Sequence, residues 1–312
     1  MRGFPEIKIN KRKIFYLLIL GFTFAVFLIL AYINIALKRQ NSDLEIYPKP
    51  LIYNSQKYPQ IKNHQEVFIS AKGAVVLDRD SYVVLYEKNP KLRFSPASTT
   101  KIMTALVALE YFKLDDILTI YQSNVEGSNI TFEQGEQFTF ENLLYALMLP
   151  SSNDAASAIA QNYPGEEAAF VAKMNEKAKE LHLTDTFFGE PIGLLDEKVY
   201  TTPLDLARLA AQALENSTLA KVVSTRNREI VSLQGKNYSL YNINRLLDLP
   251  GVSGVKTGFT EGAGEVLVTS KKISGEGAEI VIVVMQSEDR FLDTQILLEF
   301  LNNNINYLSI QP

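Results

Sequence analysis

The first pattern along the chain is a long stretch without charge. Residues 14–37, IFYLLILGFTFAVFLILAYINIAL, hold 24 uncharged positions. As a helix they would reach about 36 Å, more than the ~30 Å hydrocarbon core of a bilayer. The pattern predicts a transmembrane helix. Arg2, Lys8, Lys11, Arg12 and Lys13 precede it, against Lys38 and Arg39 just after it. That bias predicts a cytoplasmic tail over 1–13 and an extracytoplasmic remainder. A cleaved signal peptide is the alternative, but the run exceeds a typical signal core and no A-x-A site follows it, so a retained anchor is expected. Residues 38–67 are rich in Asn, Gln, Lys and Pro and read as a linker, which leaves 68–312 as the folded domain.

Within that domain the period changes twice. GAVVLD (73–78) and YVVLYE (82–87) flank a short polar turn and predict a β-hairpin. From about 99 to 215 apolar residues recur at three-to-four spacing, in KIMTALVALEYF, TFENLLYALML, NDAASAIAQNY, EEAAFVAKMNEKAKELH and TPLDLARLAAQALEN, which predicts helices. Short β-branched runs then return in GVKTGF, GEVLVTSKK and AEIVIVVMQS, and FLDTQILLEFLNNN closes the pattern as a helix. Strands, then helices, then strands predict an α+β domain whose sheet is shared by both ends, with a helical lobe inserted between them.

Composition narrows the chemistry. At 46% apolar and 21% charged the chain is that of a folded protein, and a net charge of −4 gives no basic stripe for nucleic acid. There is no cysteine, which removes thiol catalysis and thiolate metal sites. The two histidines, His64 in a polar stretch and His182 in ELHLTD, read as surface residues. A Ser-His-Asp triad or a histidine-bound zinc is then hard to assemble, and a reactive serine would need another base.

One candidate lies in SPASTTKIMTALVALE (95–110). Ser98 and Lys101 are three apart, so in a helix hydroxyl and amine share a face. Taken alone, S-x-x-K is weak, because serine is also a common helix cap. A capping box, however, would want Glu or Gln where Lys101 stands, and IMTALVAL is apolar around most of its circumference, which predicts a buried helix and a desolvated lysine. Such a lysine can act as a base at neutral pH. Ser253 and Lys256 repeat the spacing in a predicted strand, where positions three apart point to opposite faces, so that pair is not expected to meet. PSSNDAASAIA offers Ser151 and Asn153, either as part of a helix start or as proton relay and amide ligand. In SGVKTGFTEGAGEV, Lys256 and Thr257 offer a cation and a hydroxyl to a carboxylate, and Gly258 permits close approach of a substrate backbone.

S-x-x-K, S-x-N and K-T-G in this order resemble the signature of the penicillin-recognising serine enzymes. AKGAVVLDRDSYVVLYEKNP, FSPASTTKIMTALVALE and GVSGVKTGFTEGAGEVLVTS are similar to the D-alanyl-D-alanine carboxypeptidases, the low-molecular-weight penicillin-binding proteins, with the similarity running from about 70 to 305. The resemblance implies the β-lactamase/penicillin-binding transpeptidase-like fold, an antiparallel sheet flanked by helices. It implies Ser98 as the acylated nucleophile, Lys101 as its base, Ser151 as proton relay and Asn153 as a substrate amide ligand. Lys256 and Thr257 would hold a terminal carboxylate, with Arg290 assisting, beside Gly258. The N–H groups of Ser98 and Phe259 would form an oxyanion hole. No cofactor or metal is implied; the partners would be peptidoglycan stem peptides ending in D-Ala-D-Ala, with β-lactams as covalent inhibitors.

Two departures stand out. FFGEPIGL (187–194) places Glu190 where the family's F-x-N-P-x-G-L loop has Asn. It has the E-P of the class A β-lactamase loop without the L-N that follows there, and Glu190 reads as a surface loop substitution. The sequence given also stops soon after the first domain, whereas many relatives carry a β-rich second domain and a C-terminal amphipathic anchor; the N-terminal span is expected to replace that anchor. The expectation is a membrane-tethered serine D-Ala-D-Ala carboxypeptidase. Its rivals are a β-lactamase or D,D-endopeptidase of the same fold, or a non-catalytic peptidoglycan-binding domain.

Overall fold

The computed structural model describes residues 23–33, 57–63, 65–195, 199–273, 278–302 and 304–309. The chain divides into two compact units, Met1–Tyr53 and Asn54–Pro312. In the first, residues 23–33 are helical (α1) and mostly exposed. The rest of the predicted span 14–37, the tail 1–13, most of the predicted linker and His64 lie outside the described residues. Among the described residues no helix is long and apolar enough to cross a membrane.

The second unit begins with β1 (Lys57–Ile61), β2 (Gly73–Asp78) and β3 (Val84–Lys88), then a 3-10 turn at Ala97–Thr100 that runs into α2 (Lys101–Tyr111). The lobe continues through β4 (Ile117–Thr119), β5 (Gln137–Thr139), α3 (Phe140–Met148), α4 (Asn153–Gln161), α5 (Glu166–Glu180), α6 (Pro203–Ala213) and α7 (Ser217–Val223). After the hairpin β6 (Asn227–Val231) and β7 (Asn237–Tyr241) and a second 3-10 turn at Arg245–Asp248 come β8 (Val252–Thr260), β9 (Gly264–Lys272), β10 (Glu279–Ser287), α8 (Arg290–Leu301) and β11 (Ile305–Ser309).

Strands from both ends of the unit make one sheet, in the order β3-β2-β10-β9-β8, antiparallel throughout. The helices between β3 and β8 form the inserted lobe. Alternation along the central strands sorts their side chains onto two faces. Val75, Leu77, Val281, Val283 and Met285 join the lobe's core, while Ala74, Val76, Ile280, Ile282 and Val284 pack with Leu297, Leu298, Phe300 and Leu301 of α8. With both faces covered, β2 and β10 read as nearly unbroken apolar runs.

Helix α2 is the axis of the lobe and is buried from Lys101 to Ala108, as its all-round apolar pattern predicts. The starts of its neighbours follow local chemistry. Thr139, Ser152, Thr202 and Asn216 each cap a helix by accepting a backbone N–H one turn on, and Pro203 occupies the first turn of α6, where its missing N–H costs nothing. One boundary needs correction. Residues 57–61, inside the predicted linker 38–67, form β1 and pair antiparallel with β11, so the ends of the second unit are joined by a strand pair ahead of residue 68.

Candidate active site

Ser98 lies inside the 3-10 turn and caps no helix; Thr100 precedes α2 and makes no side-chain cap bond. At three residues per turn, positions i and i+3 are eclipsed, which brings Lys101 Nζ to 3.0 Å from Ser98 Oγ. The turn is held under strain. Ala97, just before Ser98, has φ of 47°, a left-handed value uncommon outside glycine. Two glycines press on it from either side. A Cβ on Gly193 would stand 1.9 Å from the Ala97 carbonyl oxygen, and one on Gly258 would stand 3.0 Å from both Ala97 Cβ and Ser98 N. Gly258 therefore lets the edge of β8 lie against the turn that carries Ser98.

Lys101 is fully buried. Its Nζ donates to three acceptors: Ser98 Oγ at 3.0 Å, Asn153 Oδ1 at 2.7 Å and the Ile192 carbonyl at 2.8 Å. The Asn153 amide is oriented by its other end, since Nδ2 donates to the Glu126 carbonyl at 2.5 Å. Three acceptors suit the three donors of an ammonium, whereas a neutral amine donates twice and must turn its lone pair to a group that can donate back. Of the three partners only the Ser98 hydroxyl can do so. Burial pushes the Lys101 ammonium from its ordinary 10.5 down to about 7, against the opposing pull of the Glu190 charge. Near neutral pH roughly half the amines are then free to accept a proton from Ser98.

Ser152 caps α4, which leaves the neighbouring Ser151 hydroxyl for another use. Ser151 has φ of 65°, is buried, and its Oγ has no hydrogen-bond partner among the described residues. Thr257 Oγ1 and Arg290 Nε are in the same condition. All three residues line one cleft of ≈ 640 Å³ with Ser98, Gly258 and Phe259. Lys256 is buried with Nζ 3.0 Å from the Thr257 carbonyl, and burial, with the positive charges of Lys101 and Arg290, pushes its ammonium well below the usual range. Arg290 donates from Nη1 to the Gly258 carbonyl at 2.8 Å, tying the start of α8 to the edge of β8. The Phe259 side chain is 60% exposed at the rim.

The predicted control behaves as expected. Ser253 Oγ bonds to Glu279 Oε1 at 3.2 Å and approaches Ser270 Oγ at 3.3 Å, so its contacts are with these groups rather than with Lys256. Glu190, read from the sequence as a surface substitution, is instead buried. Its Oε2 accepts from Ile192 N at 2.7 Å, and its Oε1 accepts from Gly193 N at 2.5 Å and Leu194 N at 2.7 Å. Loop backbone that turns in a tight space must satisfy its N–H groups, and here a carboxylate one residue upstream of the turn does it. The cleft's other wall holds Asn129, Asn242 and Arg245, none of which the motifs point to. The Ile192 carbonyl on Lys101 was also invisible, because a backbone acceptor leaves no trace in residue type.

Comparison with known proteins bears on this arrangement. A family profile described as D-alanyl-D-alanine carboxypeptidase matches residues 60–289. D-alanyl-D-alanine carboxypeptidase DacF of Bacillus subtilis (strain 168) is 37% identical over 249 residues, 77% of this chain; the match spans 64% of that relative, just under two thirds of its length. A D-alanyl-D-alanine endopeptidase of Pseudomonas aeruginosa is 34% identical over 223 residues, covering 69% of this chain and 71% of its own. The crystal structure of the Streptomyces K15 DD-transpeptidase superposes with a TM-score of 0.70 at 30% identity, over 76% of this chain and 98% of that one. With the profile spanning most of the folded unit and the fold matched at this identity, the chain belongs to the D-alanyl-D-alanine carboxypeptidase family.

Proposed function

We propose that the protein is a serine D-Ala-D-Ala carboxypeptidase that removes the terminal D-alanine from peptidoglycan stem peptides. The observation that carries this reading is the buried Lys101 amine bonded to Ser98 Oγ at a cleft that also holds Thr257 and Arg290. Ser98 Oγ attacks the carbonyl of the penultimate D-Ala as its proton passes to Lys101 Nζ. The oxygen that becomes negative faces the N–H groups of Ser98 and Phe259. Ser151 Oγ hands a proton to the departing amine, D-alanine leaves, and water releases the acyl group from Ser98. The Asn153 side chain binds the peptide amide. Buried polar atoms without partners cost about 1–3 kcal/mol each, and a substrate carboxylate bonded to Thr257 Oγ1 and Arg290 Nε offsets that cost. The same carboxylate favours the protonated form of Lys256, which burial and the neighbouring positive charges disfavour.

The test compares a peptide ending in D-Ala-D-Ala with its C-terminal amide. Purified protein should release one D-alanine from the acid. Amidation should reduce kcat/KM by roughly 10- to 150-fold, the loss of one charge-assisted hydrogen bond. Lys256→Ala should cause a similar loss with the acid and little further loss with the amide, since both changes delete one interaction. Equal turnover of acid and amide by the wild type would sink the carboxypeptidase reading and favour an endopeptidase, the activity in the name of the Pseudomonas aeruginosa relative. The β-lactamase reading is disfavoured because backbone N–H groups occupy both Glu190 oxygens, leaving that carboxylate poorly placed to activate a deacylating water. An intact Ser98 bonded to the buried Lys101, with Lys256 also buried, disfavours a purely binding domain.

We further propose that residues 14–37 anchor the protein, with 1–13 in the cytoplasm and the catalytic unit outside the membrane, supported by the 24-residue uncharged run and the five basic residues ahead of it. Full-length protein should stay with membranes through alkaline washing. Recovery of a soluble form beginning after residue 37 would show a cleaved signal instead.

A further inference from the structure

The loop from Glu190 to Leu194 touches the reacting groups in more than one place. Its Ile192 carbonyl accepts from Lys101 Nζ at 2.8 Å, and its Pro191 carbonyl accepts from Thr104 Oγ1 at 2.6 Å, one turn further along α2. Gly193, at φ +93°, presses against the carbonyl of Ala97, the residue before Ser98. Each of these contacts depends on how the loop turns, and the turn is folded around a single side chain, since the N–H groups of Ile192, Gly193 and Leu194 all converge on the Glu190 carboxylate. An amide at this position, as in the related loops, can present only one oxygen to three donors, and it brings no charge.

We propose that Glu190 is a positioning residue of the acylation machinery: its carboxylate folds 190–194 so that the Ile192 carbonyl meets the Lys101 amine, while its negative charge acts on that amine from beyond contact distance. The inference rests on Ser98 and Lys101 being nucleophile and base. Charged groups face this amine from two sides, Glu190 from the loop and Lys256 from β8, while Glu167 of α5 faces Glu190 in turn. Glu190 is the negative partner that holds a proton on Lys101, against burial, which drives it off. The carboxylate thus has two separable effects. Its hydrogen bonds set where the amine points, and its charge offsets part of the burial that drives the proton off the amine.

The two effects are separated by pH–rate profiles of benzylpenicillin acylation, measured on full-length protein in detergent for the wild type, Glu190→Gln and Glu190→Asp. The wild-type rate should rise with pH through about 7 as Lys101 loses its proton. Glu190→Gln removes the charge and one of the acceptor oxygens, so its acid limb should move to lower pH by roughly one unit and its plateau should fall by about 10- to 100-fold. Glu190→Asp keeps the charge but cannot reach all three N–H groups, so its plateau should fall by at least about tenfold while the limb stays in place. An unmoved limb in folded Glu190→Gln overturns the charge role. A wild-type plateau in Glu190→Asp overturns the positioning role, whether or not the Gln variant folds. If the wild type itself forms no adduct at Ser98, the serine-enzyme reading fails, and that result is distinct from either of these.

Discussion

Ser98→Ala is expected to abolish covalent labelling by benzylpenicillin and to lower D-alanine release by roughly 10⁴- to 10⁶-fold, the range seen when an enzyme loses the member of a catalytic group that carries the covalent bond. The loss should be specific. Ser253→Ala removes a hydroxyl bonded to Glu279 rather than to a lysine, so it should leave the adduct intact despite the identical S-x-x-K spacing. Peptide mapping of the labelled wild type decides between Ser98 and Ser151, whose hydroxyl also lies at the cleft and has no partner among the described residues. Label on Ser151, or persistent label in Ser98→Ala, would contradict the assignment. The fold should tolerate the change, because Ser98 is only partly buried and the strained turn is held by Ala97, Gly193 and Gly258 rather than by the hydroxyl.

Lys101→Met should reduce acylation by about 10²- to 10⁴-fold, the usual contribution of a positioned base. Its second effect concerns stability. Folded Lys101 loses its proton near pH 7 while the unfolded chain keeps it to about 10.5, so the unfolded state binds more protons between those values. Lowering the pH through that window therefore favours unfolding, and below about 7 the penalty is constant. The shift corresponds to an order of magnitude of roughly 4 to 5 kcal/mol, offset in the Met variant by leaving Asn153 Oδ1 and the Ile192 carbonyl without their donor. Thermal melts of both proteins from pH 10 to 6 should show the Met variant gaining on the wild type as pH falls. Parallel stability curves across that range would mean that Lys101 stays charged in the folded protein and is no base.

Much of this arrangement was legible because the relevant signals are local. The short apolar, β-branched runs GAVVLD and YVVLYE about a polar turn, the all-round apolar face of KIMTALVALEYF, and the placing of Lys101 inside it require no tertiary information. The β6–β7 hairpin also carries a signal, since Tyr238 and Leu240 alternate with polar residues in NYSLY just after a turn containing Gly235. By contrast, β4 and β5 are three residues long, too short to show a period, and KYPQI becomes a strand only because β11 is there to pair with it. Glu190 was misread for a similar reason. A glutamate in a loop is normally solvated, and nothing in FFGEPIGL announces that three backbone N–H groups will surround it.

The sheet order has a consequence for how the molecule is made. Asp78 pairs with Ile280 and Gly73 with Met285, so the two central strands are separated by almost the entire catalytic unit. As the chain is synthesised, β2 can close at once on β3, but its other edge has no strand to pair with until β10 has appeared, and pairings this distant in sequence close slowly. Until then GAVVLD stands open on the strand edge that β10 will occupy, and EIVIVVM in turn emerges before α8 can cover one of its faces, apolar and β-branched, the composition of segments that pair with the wrong partner. The interval before β10 docks is therefore when the chain is most exposed to aggregation and most in need of a holdase.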